Sequence, residues 1–217
     1  MDFDVARLNM VESQLKPNFL TDKKLIDIFR SIKRENFVKD RLKARAYADE
    51  NLEIAANRFM LEPVIFARMV QAAELKSSDI VLDIGCGTGY STAVFSQIVE
   101  MVIGLEQNEK LAEDAEENLK DEAFCNTAIY KKDHNKGLKD QGPFDVIFIN
   151  GVVDEIPETL IDQLKEGGRL LAIEKNEKEI TQAVLVKKIR SSISKKSLFD
   201  AFAHYLVGFE PEQKFTF

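Results

Sequence analysis

The sequence predicts an α/β protein with a doubly wound, mostly parallel sheet that follows an N-terminal helical extension. Apolar residues recur at helical spacing in the first 48 residues, and from residue 80 onward short runs of Val, Ile and Leu alternate with amphipathic stretches. Near-continuous apolar runs separated by helices are typical of parallel strands that are buried on both faces. We therefore expect a βαβ series.

Two or three helices are expected before any strand. The apolar positions are Val5, Leu8, 11–15 and the set Leu25, Ile28, Phe29 and Ile32. Thr21 or Asp22 stands where an N-cap belongs, and Pro63 begins a further helical pattern that leads into the sheet. We divide the chain into an N-terminal helical extension, 1–50, packed on a core domain, 51–217.

The expected strands of the sheet cover 80–84, 101–105, 144–149 and 169–173, and a short apolar run lies at 128–130. Connecting helices are expected at 90–98, 108–120 and 157–165. In the tail, apolar alternation at 198–202 and 214–217 favours two antiparallel strands at a sheet edge. The basic, serine-rich stretch 187–196 is interpreted as a solvated surface segment.

Composition excludes several function classes. The 217 residues carry a net charge of −7, which argues against general attraction to nucleic acid phosphates. No stretch approaches the roughly 18 apolar residues of a membrane span, so we expect no membrane partner. Cys86 and Cys125 are too few for a disulfide framework and favour a reducing, cytoplasmic location. The only histidines, His134 and His204, lack the spacing of metal ligands, so no metal is assigned.

The strongest local signal is a glycine-rich loop directly after the first predicted strand of the sheet. Gly85, Cys86, Gly87, Thr88 and Gly89 form a G-x-G-x-G pattern, with Asp83 two positions before the first glycine. Glycines in such a loop let the backbone turn sharply and leave room for a ligand. The spacing differs from the G-x-G-x-x-G of dinucleotide folds, and a purely structural turn is the alternative interpretation.

An acidic residue ends the next strand. Glu106 lies 21 positions after Gly85 and is followed by Gln107. A carboxylate at this strand tip can accept two hydrogen bonds from a ribose diol in the ligand crevice of the fold. The alternative is a solvated acid among the neighbouring acidic residues Glu109 and Glu113.

These patterns resemble motif I and the following strand of the class I S-adenosylmethionine-dependent methyltransferases. The resemblance implies a seven-stranded Rossmann-like methyltransferase sheet within 51–217, with S-adenosylmethionine as cofactor and S-adenosylhomocysteine as product. It implies that Asp83 orients the loop or meets the ammonium group of the cofactor. It also implies that Asp133 accepts from the adenine amino group while the His134 amide reaches the ring, although Asp133 could be an ordinary loop residue. Asn150 is a site-facing or loop-capping residue.

Further stretches resemble the protein-L-isoaspartate O-methyltransferases. Residues 51–63 align with a loop of the type P-L-P-I-G-x-G-Q-T-I-S-Q-P, and 32–38 align with V-P-R-x-x-F-V. Residues 46–49 resemble L-A-Y-x-D, and 155–170 resemble I-P-x-x-L-x-x-Q-L-K-P-G-G-R-L. This resemblance, from about residue 30 to 173, implies methylation of a protein carboxyl group, such as an isoaspartyl residue, in protein repair.

The chain differs from that family at the three positions where the family's loop has the sequence T-I-S. Phe59, Met60 and Leu61 stand in its place and offer no side-chain donors, which leaves Arg58 and backbone amides for a substrate carboxylate. No catalytic residue is assigned, because a carboxylate acceptor needs no general base. Two alternatives therefore stay open: a family member with a different small-molecule acceptor, and a cofactor-binding protein without transfer activity.

Overall fold

The computed structural model describes residues 1–176, 179–190 and 192–211. Its helices are α1 (Phe3–Asn9), α2 (Lys23–Ser31), α3 (Pro63–Ala72), α4 (Tyr90–Ser96), α5 (Glu109–Asp121) and α6 (Glu158–Asp162). Its strands are β1 (Leu52–Ala55), β2 (Arg58–Met60), β3 (Ile80–Ile84), β4 (Met101–Leu105), β5 (Thr127–Tyr130), β6 (Phe144–Val153), β7 (Leu164–Lys175), β8 (Thr181–Ile189) and β9 (Ser192–Asp200). A π-helical turn, Met10–Leu15, extends α1.

Seven strands form one sheet in the order β5-β4-β3-β6-β7-β8-β9. The strands from β5 to β7 are parallel, and β8 and β9 are each antiparallel to their preceding neighbour. The chain winds outward from β3 to β5 and then crosses back to β6, so the winding direction reverses between β3 and β6. Ligands of such sheets bind outside the carboxyl ends of the strands at this switch point. The predicted seven-stranded, mostly parallel α/β fold is confirmed.

The strands predicted at 80–84 and 101–105 have those bounds, whereas β6 and β7 are longer than their apolar runs. The start of β7 pairs Leu164 with Phe144, and the strand continues through two charged residues and two glycines at 165–168. The helix predicted at 157–165 is correspondingly short. The strands continue to pair through their backbones beyond the last apolar side chains. Boundaries predicted from the apolar pattern are therefore too short.

The tail prediction is partly wrong. The antiparallel edge is formed by β8 and β9, so the predicted strand 198–202 overlaps only the last three residues of β9, and β8 was not predicted. The predicted strand 214–217 lies outside the described residues. The described residues of the basic stretch, 187–190 and 192–196, belong to this hairpin, and Lys195 and Lys196 are exposed on its edge strand. Charged side chains on an edge strand oppose pairing with other chains.

The N-terminal helices form as expected. The Asp22 side chain caps α2 by accepting from the Leu25 N–H at 3.1 Å, and Pro63 occupies the first turn of α3. The sequence had suggested only a loop between the extension and α3. The structure instead contains the hairpin of β1 and β2, whose turn residue Asn57 has a φ of +57°. Asparagine tolerates this left-handed conformation better than most residues.

Apolar clusters cover both faces of the sheet. One cluster joins Phe29 and Phe37 of the N-terminal region to Phe66 of α3 and Phe148 of β6, and the other covers the opposite face. The first 50 residues therefore share a core with the sheet, and the division at residue 50 stays a prediction. Across the described ranges, no helix combines the length and hydrophobicity needed to cross a bilayer.

Candidate active site

The glycine-rich loop lies between β3 and α4, at the switch point of the sheet. Gly85, Gly87 and Gly89 have φ values of +70°, +58° and +95°, which L side chains rarely adopt. A Cβ atom on Gly87 would lie 2.7 Å from Ile54 Cδ1, so the β1–β2 hairpin already covers the loop. Thr88 Oγ1 donates to the Phe37 carbonyl at 2.5 Å and ties the loop to the N-terminal region.

Asp83 is fully buried beneath the loop. Its carboxylate accepts from Ser91 Oγ at 2.7 Å, from Thr92 Oγ1 at 2.6 Å and from Asn150 Nδ2 at 2.6 Å. Burial raises the pKa of Asp83 to about 6 although these three donors favour the charged form, and the nearby Glu106 also raises it. Asp83 thus links β3, α4 and β6 around the loop. Asn150 Nδ2 also donates to the Ile84 carbonyl at 3.0 Å.

Glu106 follows β4 and is completely buried. Arg58 Nη2 donates to Glu106 Oε2 at 2.6 Å and to the Gly85 carbonyl at 3.1 Å. The Gly87 N–H donates to the same carboxylate oxygen at 3.0 Å, and the Asn108 N–H donates to Oε1 at 3.0 Å. The carboxylate predicted to bind ribose is thus engaged by the chain itself, chiefly through a buried ion pair.

His134 is buried on the other side of Glu106, with Nε2 at 3.3 Å from Oε1. The Gln107 N–H donates to His134 Nε2 at 3.0 Å, so the ring donates from Nδ1 to the Val207 carbonyl at 2.9 Å. Burial acts to raise the pKa of Glu106, but its contacts with His134 and Arg58 lower it to about 2. Because His134 Nε2 already accepts a hydrogen, Arg58 is the partner that stabilises this charge.

Asp133 is not brought together with these groups. Its side chain is exposed and pairs with Lys136, which lowers its pKa. The loop behind it is held by Gln163, whose Oε1 accepts from the Leu138 N–H at 2.7 Å and whose Nε2 donates to the Lys136 carbonyl at 2.9 Å. A Cβ on Gly137 would lie 2.5 Å from Gln163 Oε1.

The segment Phe59, Met60 and Leu61 lies across the glycine loop. Met60 and Leu61 are buried, whereas Phe59 is partly exposed and stacks on the His204 ring with centroids 3.7 Å apart. Phe202 is 69% exposed and meets His204 edge-on. Apolar and aromatic groups therefore replace hydroxyls at this edge of the site.

The cavity between this segment and the glycine loop has a volume of about 20 Å³, far below the roughly 300–1,000 Å³ of ligand pockets. Leu206 packs closely on Gly85, since a Cβ there would lie 2.7 Å from Leu206 Cδ1. The buried carboxylates Asp83 and Glu106 and the left-handed loop fit the cofactor that the resemblance implies. In this conformation Arg58, Ile54 and Leu206 lie against the glycine loop. Cys86 is buried in the loop, which raises the pKa of its thiol.

Three residues of the site were not assigned a role from the sequence: Arg34, Ile54 and Leu206. Arg34 is 1% exposed and lines the same cavity. The available signal for Arg34 was the arginine of the V-P-R-x-x-F-V pattern at 32–38, whereas nothing local marks Leu206. No cluster of three or more His, Cys, Asp or Glu side chains suited to a metal occurs in the part of the chain that the structure describes.

Comparisons with known proteins agree with this geometry. The sequence model of the Protein-L-isoaspartate(D-aspartate) O-methyltransferase family matches residues 6–203. The protein-L-isoaspartate O-methyltransferase of Koribacter versatilis is 33% identical over 206 residues, which cover 95% of this chain and 92% of that protein. The enzyme of the same name from Petrotoga mobilis is 37% identical over 172 residues, covering 79% and 81%.

Solved structures show the same similarity. A protein-L-isoaspartate O-methyltransferase superposes with a TM-score of 0.82 at 28% identity, and the match covers 93% of this chain and 66% of that one. A Plasmodium falciparum protein in complex with S-adenosyl-L-homocysteine superposes with a TM-score of 0.80 at 22% identity, covering 91% and 96%, a likeness that concerns the fold alone. The chain therefore belongs to the protein-L-isoaspartate(D-aspartate) O-methyltransferase family, whose members are S-adenosylmethionine-dependent methyltransferases.

Proposed function

We propose that this chain transfers a methyl group from S-adenosylmethionine to a protein carboxyl group, with isoaspartyl residues as the first substrate class to test. The observation that carries the proposal is the buried Glu106 beside a left-handed glycine loop at the sheet's switch point, in a chain of this family. S-adenosylmethionine, when bound, supplies a methyl group on a positively charged sulfur.

The same residues supply the binding site in this proposal. The loop of Gly85, Cys86, Gly87, Thr88 and Gly89 would back the amino-acid part of the cofactor. The hydrogen bonds that the buried Asp83 accepts would maintain the shape of this loop.

The nucleoside would lie further along the same edge. Glu106 and Gln107 would hold the ribose once Arg58 has moved from the carboxylate. Asp133 and the His134 amide would meet the adenine, which requires Asp133 to turn away from Lys136.

A carboxylate acceptor is already a nucleophile, so the chain needs no general base. Its contribution is to align the acceptor and to exclude water from the reacting atoms. Phe59, Met60 and Leu61 are suited to the second task because they are apolar and cover the loop. None of these residues is assigned a proton-transfer role.

A cytoplasmic protein-repair role fits the cysteines, since Cys125 is an exposed free thiol and Cys86 is buried and unpaired. The net charge of −7 supports a protein acceptor over a nucleic acid. A small apolar or aromatic acceptor is the second candidate. It is favoured by the stack of Phe59 on His204 beside the exposed Phe202.

The test combines titration with S-adenosylhomocysteine and a methyl-transfer assay on an isoaspartyl peptide, with the matched aspartyl peptide as control. We expect binding, and transfer to the isoaspartyl peptide alone as a base-labile ester. Binding without transfer would favour the other acceptor or a cofactor-binding role, and absence of binding would refute the proposal.

A series of variants tests whether Glu106 contacts the ribose. Glu106→Gln should weaken S-adenosylhomocysteine binding, and Glu109→Gln, an exposed acid nearby, should not. The same Glu106 change is repeated in an Arg58→Gln background, where no unpaired guanidinium is left behind. Unaltered affinity in both backgrounds would remove Glu106 from the site.

A further inference from the structure

Arg34 is a fully buried cation next to the candidate site. Its Nε donates to the Ala46 carbonyl at 2.7 Å, and its Nη2 donates to the Leu61 carbonyl at 2.7 Å. The guanidinium lies 4.6 Å from the centroid of the Tyr90 ring. Two carbonyls and an aromatic face thus hold the plane of the guanidinium in one orientation.

The Nη1 amino group of this guanidinium is left over. Arg34 Nη1 is buried and has no hydrogen-bond partner, and no carboxylate of the described ranges is in hydrogen-bond contact with Arg34. Asp49 acts on it only through space, and burial lowers the pKa of Arg34. A buried charge without an opposite partner is unfavourable, so an anion that reaches it gains a strong interaction.

The position of Arg34 indicates which anion this is. Arg34 lines the cavity together with Met60, Leu61, Gly85 and Tyr90, between the apolar segment and the glycine loop. We propose that Arg34 Nη1 binds the carboxylate of the methyl acceptor, an inference that rests on the proposed function. Arg34 is then a specificity-determining residue that supplies the donor which the apolar segment lacks.

The other buried arginine of the site is less suited to this role. Arg58 already donates to Glu106 and to the Gly85 carbonyl, so its charge is compensated. Arg34 has only neutral partners, and its planar guanidinium matches the geometry of a carboxylate. Its contacts with the Ala46 carbonyl and the Tyr90 ring come from outside the β1–β2 hairpin.

S-adenosylmethionine also carries a carboxylate, and the experiment separates the two sources. Arg34→Lys and Arg34→Gln are measured for binding of S-adenosylhomocysteine and of methylthioadenosine, which lacks the amino-acid part. They are then measured for transfer to the isoaspartyl peptide. Arg45→Gln, an exposed arginine paired with Glu50 in the same region, is the matched control.

We expect kcat/KM for the peptide to fall about 10- to 100-fold in both Arg34 variants, mainly through KM, because a charge-assisted hydrogen bond is lost. Affinity for S-adenosylhomocysteine should be unchanged. A peptide whose isoaspartyl carboxylate is replaced by an amide should bind the wild type and the variants equally. This last comparison distinguishes anion binding from a structural role, which would affect both peptides.

Three results overturn the inference. One is unaltered peptide kinetics in folded variants, and another is weaker binding of S-adenosylhomocysteine but not of methylthioadenosine, which would assign Arg34 to the cofactor. If neither variant folds, the wild-type complex with S-adenosylhomocysteine and the peptide is crystallised, and a carboxylate beyond about 3.2 Å from Nη1 decides against it. A wild type that methylates no peptide refutes the proposed function itself.

Discussion

Arg58 and Glu106 form a buried ion pair where a ribose is expected. Both carboxylate oxygens already accept hydrogen bonds from Arg58, Gly87 and Asn108, so a ribose diol gains access only when the guanidinium leaves. If Glu106 holds the ribose, as proposed, the strength of this ion pair sets part of the cofactor affinity.

We predict that Arg58→Gln tightens S-adenosylhomocysteine binding and destabilises the free protein. Removing one partner of a buried pair costs on the order of 3–5 kcal/mol of unfolding free energy. Calorimetric titration and chemical denaturation measure the two effects, with Arg45→Gln as the exposed control. Weaker binding would instead make Arg58 a contributor to the cofactor site.

Asp83 gives a pH-dependent contribution to stability. Its folded pKa, about 6, lies above the ordinary value of 3.8, so its neutral form favours the fold. The stability that this group contributes is fully present below pH 4 and is lost as the pH rises through 6. The difference amounts to about 3 kcal/mol.

We therefore expect the difference in unfolding free energy between the wild type and Asp83→Asn to fall as the pH rises from about 4 to above 6. Denaturation at a series of pH values measures it, and the other carboxyl groups cancel in the difference. A difference that does not change with pH would show that burial does not raise the Asp83 pKa.

Two segments cover the glycine loop: the β1–β2 hairpin, and residues 201–211 after β9. The second is held by Val152, whose N–H donates to the His204 carbonyl and whose carbonyl accepts from the Leu206 N–H, each at 2.9 Å. It places Leu206 against Gly85 and the Val207 carbonyl on His134. In the proposed function, both segments move before a cofactor enters.

Leu206→Ala should speed the association of S-adenosylhomocysteine, because less side chain has to be displaced from Gly85. It should also destabilise the free protein by about 2–5 kcal/mol through lost burial. Leu170→Ala, an equally buried change in the sheet, should destabilise without faster association, as stopped-flow binding would reveal. Equal association rates in all three proteins would contradict gating by this segment.

The apolar segment of Phe59, Met60 and Leu61 offers no hydroxyl donor beside the cavity. Replacing Phe59 by Thr and Leu61 by Ser should raise transfer to an isoaspartyl peptide, because hydroxyl donors are added beside the cavity. Initial rates at saturating S-adenosylmethionine provide the measurement. No change would mean that the missing hydroxyls do not limit the reaction, a result that leaves Arg34 as the donor.

The whole molecule is organised around a core that the N-terminal helices complete. Phe29 and Phe37 pack with Phe66 and Tyr90, and the Phe37 carbonyl accepts from Thr88 in the glycine loop. Removing residues 1–50 would expose this face of the sheet. The helical extension thus supports the candidate site as well as the fold.

We expect a chain that lacks residues 1–50 to lose cooperative thermal unfolding and S-adenosylhomocysteine binding, because its largest apolar cluster is incomplete. Circular dichroism and calorimetry measure both, and a separate peptide of residues 1–50 should restore them in part. A truncated chain that unfolds cooperatively by itself would support a domain boundary at residue 50.

The features that depend on neighbouring residues could be predicted from the sequence. The strand–glycine–helix pattern at 80–96, the acid at the end of β4, the Asp22 cap and the start of α3 at Pro63 follow from local spacing and backbone preference. The family follows from the same stretches, since its motifs are continuous segments. These predictions needed no knowledge of distant contacts.

The hydrogen-bond and packing partners of these residues depend on how distant parts of the chain fold together. Arg58 meets Glu106 across 48 positions, Arg34 reaches Leu61 across 27, and Leu206 meets Gly85 from the far end of the chain. The strand β9 is likewise defined by pairing with β8 and not by burial of its own side chains. Spacing reports which face a side chain occupies, whereas its hydrogen-bond partners depend on how distant segments pack against that face.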